Sequence, residues 1–131
     1  MKDKLFKALF GVAAIYDGLL GIAFMFWAER IFTMYQVTPP NHIGYIQFPA
    51  LLLLMFAWLF LTIARNPVAN RHLIRYGIWL KASYSGMVFW YAMTTGVPDM
   101  WIPWAWADLA FLVLFVWALM KLGGEAKKAQ T

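Results

Sequence analysis

The sequence predicts an all-α integral membrane protein, a four-helix bundle with a short interfacial helix in its first outer loop. Three observations carry that expectation. Hydrophobic residues make up 63% of the chain and charged residues 13%, against about 45–50% and about 25% in soluble domains. Four stretches are long enough to cross a hydrocarbon core of about 30 Å, which takes about 20 mostly apolar residues. Basic residues gather in alternate gaps between those stretches, the pattern of a polytopic protein. At 131 residues the chain has the size of one domain, so residues 1–131 are read as a single transmembrane domain.

The first span is expected over about residues 5–27. Its basic start, Met1-Lys2-Asp3-Lys4, followed by an apolar run, imitates a secretory signal. A signal's apolar core is about 7–15 residues long and leads to a small-x-small cleavage site. Here the run is longer, carries Asp17 at its middle and has no convincing cleavage site, so it is read as a retained span. In the loop that follows, Ile31, Phe32, Met34 and Tyr35 recur at helical spacing, with Glu29, Arg30, Thr33 and Gln36 between them. That pattern predicts an amphipathic helix in the interface over about residues 29–36, ended by Pro39-Pro40. It is either a plain anchor for the loop or a lid over an opening in the bundle.

The remaining spans are expected over about residues 43–64, 71–93 and 102–121. Turn-forming residues separate them, namely Thr38-Pro39-Pro40-Asn41, Arg65-Asn66-Pro67 and Thr95-Gly96-Val97-Pro98-Asp99. The pair Gly123-Gly124 is expected to end the last helix.

Charge fixes the orientation. Of 11 basic residues, Lys2, Lys4, Lys7, Arg65, Arg71, Arg75, Lys121, Lys127 and Lys128 fall at the two termini or the middle loop. With four spans those regions share one side, and positive charge stays cytoplasmic. Trp27, Tyr35, Tyr45, Trp90, Tyr91, Trp101 and Trp104 fall near the opposite surface, as interfacial aromatics do. The expectation is therefore a multi-pass protein of the bacterial inner membrane with both termini in the cytoplasm. The net charge of +5 is read as orientation, and no nucleic-acid partner is expected.

Ionisable groups inside a membrane are costly, and each is a functional-site hypothesis. At about 1.5 Å of rise per residue, Asp17 and Lys81 fall at the centres of the first and third spans. Asp108 lies about 5 Å and Gln47 about 10 Å outward of the midplane by the same rise. Ala13 and Gly21 share the Asp17 face, with Gly18 adjacent, so a second helix can come close. Gly77, Lys81, Tyr84, Ser85 and Val88 form one stripe of the third span, and Trp101, Trp104, Asp108, Phe111 and Phe115 one stripe of the fourth. Pro49 cannot donate to the Tyr45 carbonyl, which frees an acceptor near Gln47.

Two aspartates and one lysine leave an uncompensated negative charge if all are ionised, so a proton or a cation would make up the difference. Three readings stay open. One Lys81–Asp ion pair pins the bundle while the other aspartate is neutral. Alternatively, Asp17, Gln47, Lys81, Tyr84, Ser85, Trp104 and Asp108 bind the polar head of an amphipathic ligand whose body lies among the aromatics. The third is a proton or ion pathway, for which few polar steps lead inward.

The absence of cysteine removes thiolate nucleophiles, Cys-ligated zinc and iron–sulfur clusters. His42 and His72 sit at opposite ends of the spans and cannot share a metal, so no metal or haem is expected. No phosphate loop, zincin helix or nucleophile elbow is present. No catalytic residue is assigned, and an enzyme is disfavoured.

Tyr16-Asp17-Gly18-Leu19-Leu20-Gly21-Ile22 in the first span, the Pro39-Pro40 loop, and Tyr76-Gly77 followed by Lys81 give the chain a resemblance to the DoxX-like and BphX-like small bacterial membrane proteins. The resemblance implies four helices with a long, partly interfacial first outer loop. It also implies a ligand-binding or partner role in redox or envelope biology, since the family's namesake is a membrane subunit of a quinone-reducing sulfur enzyme. It carries no catalytic motif onto these residues. The expected function is binding of an amphipathic molecule, a quinone or a lipid, in the outer half of the bundle. The alternative is an accessory or assembly subunit of a larger membrane redox complex, with a proton- or ion-coupled transporter behind it; the partners expected are the lipid bilayer and a membrane protein complex or a second copy in a homo-oligomer.

Overall fold

The computed structural model describes residues 2–130, with side chains described over residues 4–128. The charge of Lys2, counted above for orientation, lies outside the described side chains. The chain is 84% helix, with no strand among the described residues. Its elements in order are α1 (Lys2–Phe26), α2 (Ala28–Met34), α3 (Gly44–Arg65), α4 (Ile74–Met93) and α5 (Ile102–Gln130). Short 3₁₀ turns at Arg71–Leu73 and Asp99–Trp101 lead into α4 and α5.

Three segments, Lys4–Phe26, Gly44–Arg65 and Asp99–Lys128, are long and apolar enough to cross a membrane. The surface agrees with that reading: Leu19 is 64%, Trp58 72%, Trp79 72% and Met120 72% exposed. Large apolar side chains so open to the surroundings are at home against lipid. The third expected span is not among the three. It is a helix of 20 residues, but Arg75, Lys81, Ser83 and Ser85, with three tyrosines, lower its hydropathy below that of the others.

The chain divides into two compact units, one formed by Asp3–Ala64 and the other beginning at Arg65. In the first, α1 buries Phe6, Phe10, Ala13, Asp17 and Gly21, a run of three- and four-residue steps that makes one stripe. Gly21 is required by close approach, because a Cβ there would lie 2.9 Å from the Ala50 carbonyl oxygen and 2.9 Å from Leu54 Cγ of α3. At Gly18 a Cβ would lie 3.6 Å from Ala57 Cβ, an ordinary contact. Nearer the other end, the rings of Phe10 and Phe60 are 6.3 Å apart.

Helix α1 stops at Trp27, whose backbone (φ −128°, ψ 23°) leaves helical geometry. The amphipathic helix expected over 29–36 is α2, and it buries Ala28 and Phe32. It ends earlier than expected and without the prolines. Gln36 takes φ 56°; its N–H donates to the Thr33 carbonyl (3.2 Å) and the Val37 N–H to the Phe32 carbonyl (2.9 Å). Those two bonds are a Schellman stop with glutamine at the left-handed position, so Pro39-Pro40 only continues a chain already turned out of the helix. Helix α3 starts where the His42 ring accepts the Gly44 N–H through Nδ1 (2.9 Å), and it accommodates Pro49 in its interior.

In the second unit the Asn66 side chain accepts the Ala69 N–H (3.2 Å), and the Arg71 guanidinium donates to the Val68 carbonyl (2.6 Å). This local bonding delays the regular helix to Ile74, three residues after the expected start. α4 and α5 form a helical hairpin. The buried stripe of α4 is Ile74, Gly77, Lys81, Ser85 and Val88, and α5 buries Ala105, Asp108, Phe115, Ala118, Leu122 and Ala126. Gly123-Gly124 does not end α5, which runs to Gln130. Leu122 and Ala126 continue the buried stripe across the glycines, and Glu125, Ala126, Lys127 and Lys128 are good helix formers, so nothing after the pair turns the chain.

Candidate functional site

Two groups of polar residues emerge, one in each unit. In the second, the period of α4 puts Lys81 and Ser85 on its buried stripe, and the hairpin sets Asp108 opposite. The Lys81 ammonium donates to Asp108 Oδ1 over 3.1 Å. Lys81 is fully buried and Asp108 is 7% exposed. The ammonium also lies 5.0 Å from the centre of the Phe111 ring, a cation–π contact from the next turn of α5. A charge this deep is stable only when paired and further bonded, and both conditions are met at Lys81.

The surrounding bonds hold that arrangement. Ser85 donates through Oγ to the Lys81 carbonyl (2.7 Å), which satisfies its own hydroxyl within the helix and keeps the stripe narrow. Tyr84 donates through its hydroxyl to the Trp101 carbonyl (3.0 Å), tying the far half of α4 to the turn before α5. Phe89 and Trp106 meet edge to face at 4.8 Å, and Phe111 and Phe115 at 5.7 Å form an aromatic wall along α5. Of the residues expected in the site, Lys81, Tyr84, Ser85 and Asp108 are joined by these bonds through α4 and α5. Trp104 belongs to the same unit and is half-buried.

Asp17 and Gln47 belong to the first unit. Asp17 is fully buried on the α1 stripe. Gln47 donates through Nε2 to the Met25 carbonyl (3.3 Å), one of the carbonyls that the end of α1 leaves without a helical partner. Gln47 also lines a cavity of about 260 Å³ at the elbow between α1 and α2, with Met25, Trp27, Glu29, Arg30 and Ile43. The sequence leaves the interfacial helix as either a plain anchor or a lid, and Glu29 and Arg30 are not among the residues expected in the site. The signal was present, since they are the only charged residues between α1 and α3.

Among the described residues no group of three or more His, Asp or Glu side chains is placed to hold a metal ion. What the arrangement offers is an ion pair, hydroxyl and amide hydrogen bonds, and aromatic walls. No family model, no curated protein and no solved structure matches the chain.

Proposed function

We propose that the chain is a small polytopic membrane protein that holds an amphipathic molecule, a quinone or a lipid, by polar residues in the outer half of the membrane. In this reading α4 also spans, third in chain order, and makes four with α1, α3 and α5. Its 20 residues give about 30 Å of helix, the thickness of the hydrocarbon core. The observation that carries the reading is the Lys81–Asp108 pair at 3.1 Å. It neutralises the most polar position of α4, so hydropathy summed residue by residue overstates the cost of inserting that helix. Ionisable groups at mid-membrane depth are also functional-site hypotheses by default. The head group meets Lys81, Asp108 and Tyr84, with Ser85 behind them, and the body lies along the half-buried Trp104 and Phe111.

In this reading both termini face the cytoplasm of a bacterium, and the likeness to the DoxX-like family is one of architecture. The test is native mass spectrometry of the protein taken from membranes in mild detergent. The wild type should carry a quinone or lipid that the charge-neutral double variant Lys81→Met/Asp108→Leu loses while staying folded. A folded wild type that carries neither molecule removes the ligand reading.

The direct bond between Lys81 and Asp108 also favours a second reading, in which the pair only fixes the fold of an accessory subunit of a membrane redox complex. Stable co-purification with one partner complex, unchanged in the double variant, would decide for it.

A further inference from the structure

The elbow between α1 and α2 carries a different site. The geometry points to the cavity lined by Glu29, Arg30 and Gln47 as a binding site for a phosphoethanolamine head group, the polar end of a zwitterionic lipid. The inference rests on the membrane placement of α1 and α3 and is independent of the ligand reading at Lys81.

The cavity has about 260 Å³, room for several groups of water size at about 30 Å³ each. Its charges come as one acid and one base from consecutive residues of α2. Neighbours in a helix point about 100° apart and do not face each other, so Glu29 and Arg30 do not neutralise one another. Neither side chain has an ion-pair partner among the described residues. Gln47 spends its Nε2 on the Met25 carbonyl, which leaves its Oε1 as an acceptor. The inventory is therefore one planar cationic donor and two acceptor groups.

A phosphate monoanion matches the guanidinium, which presents paired N–H donors to paired oxygens. A primary ammonium brings three N–H donors and no acceptor, and it finds the Glu29 carboxylate and Gln47 Oε1. A trimethylammonium has no N–H to give those acceptors, and a glycerol head group has no positive charge for Glu29. The depth agrees as well. The cavity sits where α1 ends, beside Trp27 and at the start of α3, the level of the membrane–water boundary for helices of this length.

The experiment uses the full chain in detergent, titrated with dioleoyl phosphatidylethanolamine, phosphatidylcholine or phosphatidylglycerol and read by native mass spectrometry. Phosphatidylethanolamine should be retained about tenfold better than either of the others, the value of one charge-assisted hydrogen bond. Arg30→Gln should lower retention of all phospholipids, whereas Glu29→Gln should remove only the preference for ethanolamine. Both positions are exposed, and an unchanged circular dichroism melt separates lost binding from lost fold. Glycerophosphoethanolamine, which has the head group without the chains, should compete weakly; full competition by it would mean a soluble ligand and overturn the lipid assignment. Equal retention of the three lipids, or a preference that survives Glu29→Gln in a folded protein, overturns the head-group site alone. Release of the chain from membranes by alkaline carbonate would overturn the membrane reading and this site together.

Discussion

The Lys81 ammonium reaches Asp108 across 3.1 Å although the two residues are 27 positions apart. The hairpin explains how. From Lys81 to the end of α4 is about 18 Å of helix. The 3₁₀ turn Asp99–Trp101 followed by α5 as far as Asp108 covers about 15 Å. The two side chains therefore stand at nearly the same level on facing stripes, and the long lysine stem closes the difference. Removing one partner leaves the other charged in a dry core, a loss of about 3 kcal/mol or more. Lys81→Met and Asp108→Asn should each lower the unfolding free energy obtained from a detergent–SDS titration by that order. The double variant Lys81→Met/Asp108→Leu should recover most of the loss, because no charge remains to be desolvated.

The approach of α1 to α3 is set by one missing side chain. Gly21→Ala puts a Cβ 2.9 Å from the Ala50 carbonyl oxygen, and backbone cannot step aside as a flexible side chain would. The expected destabilisation is about 1–3 kcal/mol. Gly18→Ala meets Ala57 at an ordinary 3.6 Å and should be neutral or stabilising by up to about 1 kcal/mol from helix propensity. Thermal melts of the two variants in one detergent test the contrast. Equal behaviour would contradict the close approach at Gly21.

Tyr84→Phe removes one hydrogen bond, to the Trp101 carbonyl at 3.0 Å, and leaves the ring in place. A loss of about 1 kcal/mol in the same melt is expected. If the hydroxyl also orients a head group beside Lys81, the variant should lose retained quinone or lipid beyond what its stability accounts for.

Gly96, in the turn between α4 and α5, takes φ 91° and returns its N–H to the Tyr91 carbonyl. Gly96→Ala should cost about 1–2 kcal/mol, since a Cβ is strained at that φ. Open space around the position means the effect is conformational, so a melt that does not move would contradict the left-handed turn.

Much of this was legible in the sequence because it is periodic. Long apolar runs between turn residues predicted helices in the right places, and the 3.6-residue repeat put Asp17 with Ala13 and Gly21, and Lys81 with Gly77 and Ser85, on buried stripes. What periodicity could not supply was the partner of Lys81. Two aspartates were available to it, and choosing Asp108 required the length of the α4–α5 turn. Helix ends were misread where a local motif outweighed composition. Gln36 stopped α2 before the prolines, and Gly123-Gly124 failed to stop α5 because buried Leu122 and Ala126 carry the stripe past it. The apolar character of α4 was overstated, since counting residues between turns ignores how polar they are. Glu29 and Arg30 stand in the sequence only as polar positions of the amphipathic repeat over 29–36, a pattern that gives no sign of the cavity they line.

The proposed function requires α4 to cross the membrane with its charge pair inside. The chain has no cysteine, so single cysteines report without background. Ala69→Cys in the α3–α4 connection and Thr95→Cys in the α4–α5 turn are both exposed positions. In right-side-out vesicles an impermeant maleimide should label Cys at 95 and leave Cys at 69 unlabelled until the membrane is opened. Labelling of both positions from the same side, in vesicles shown to be sealed, would mean that α4 does not span and would contradict the account.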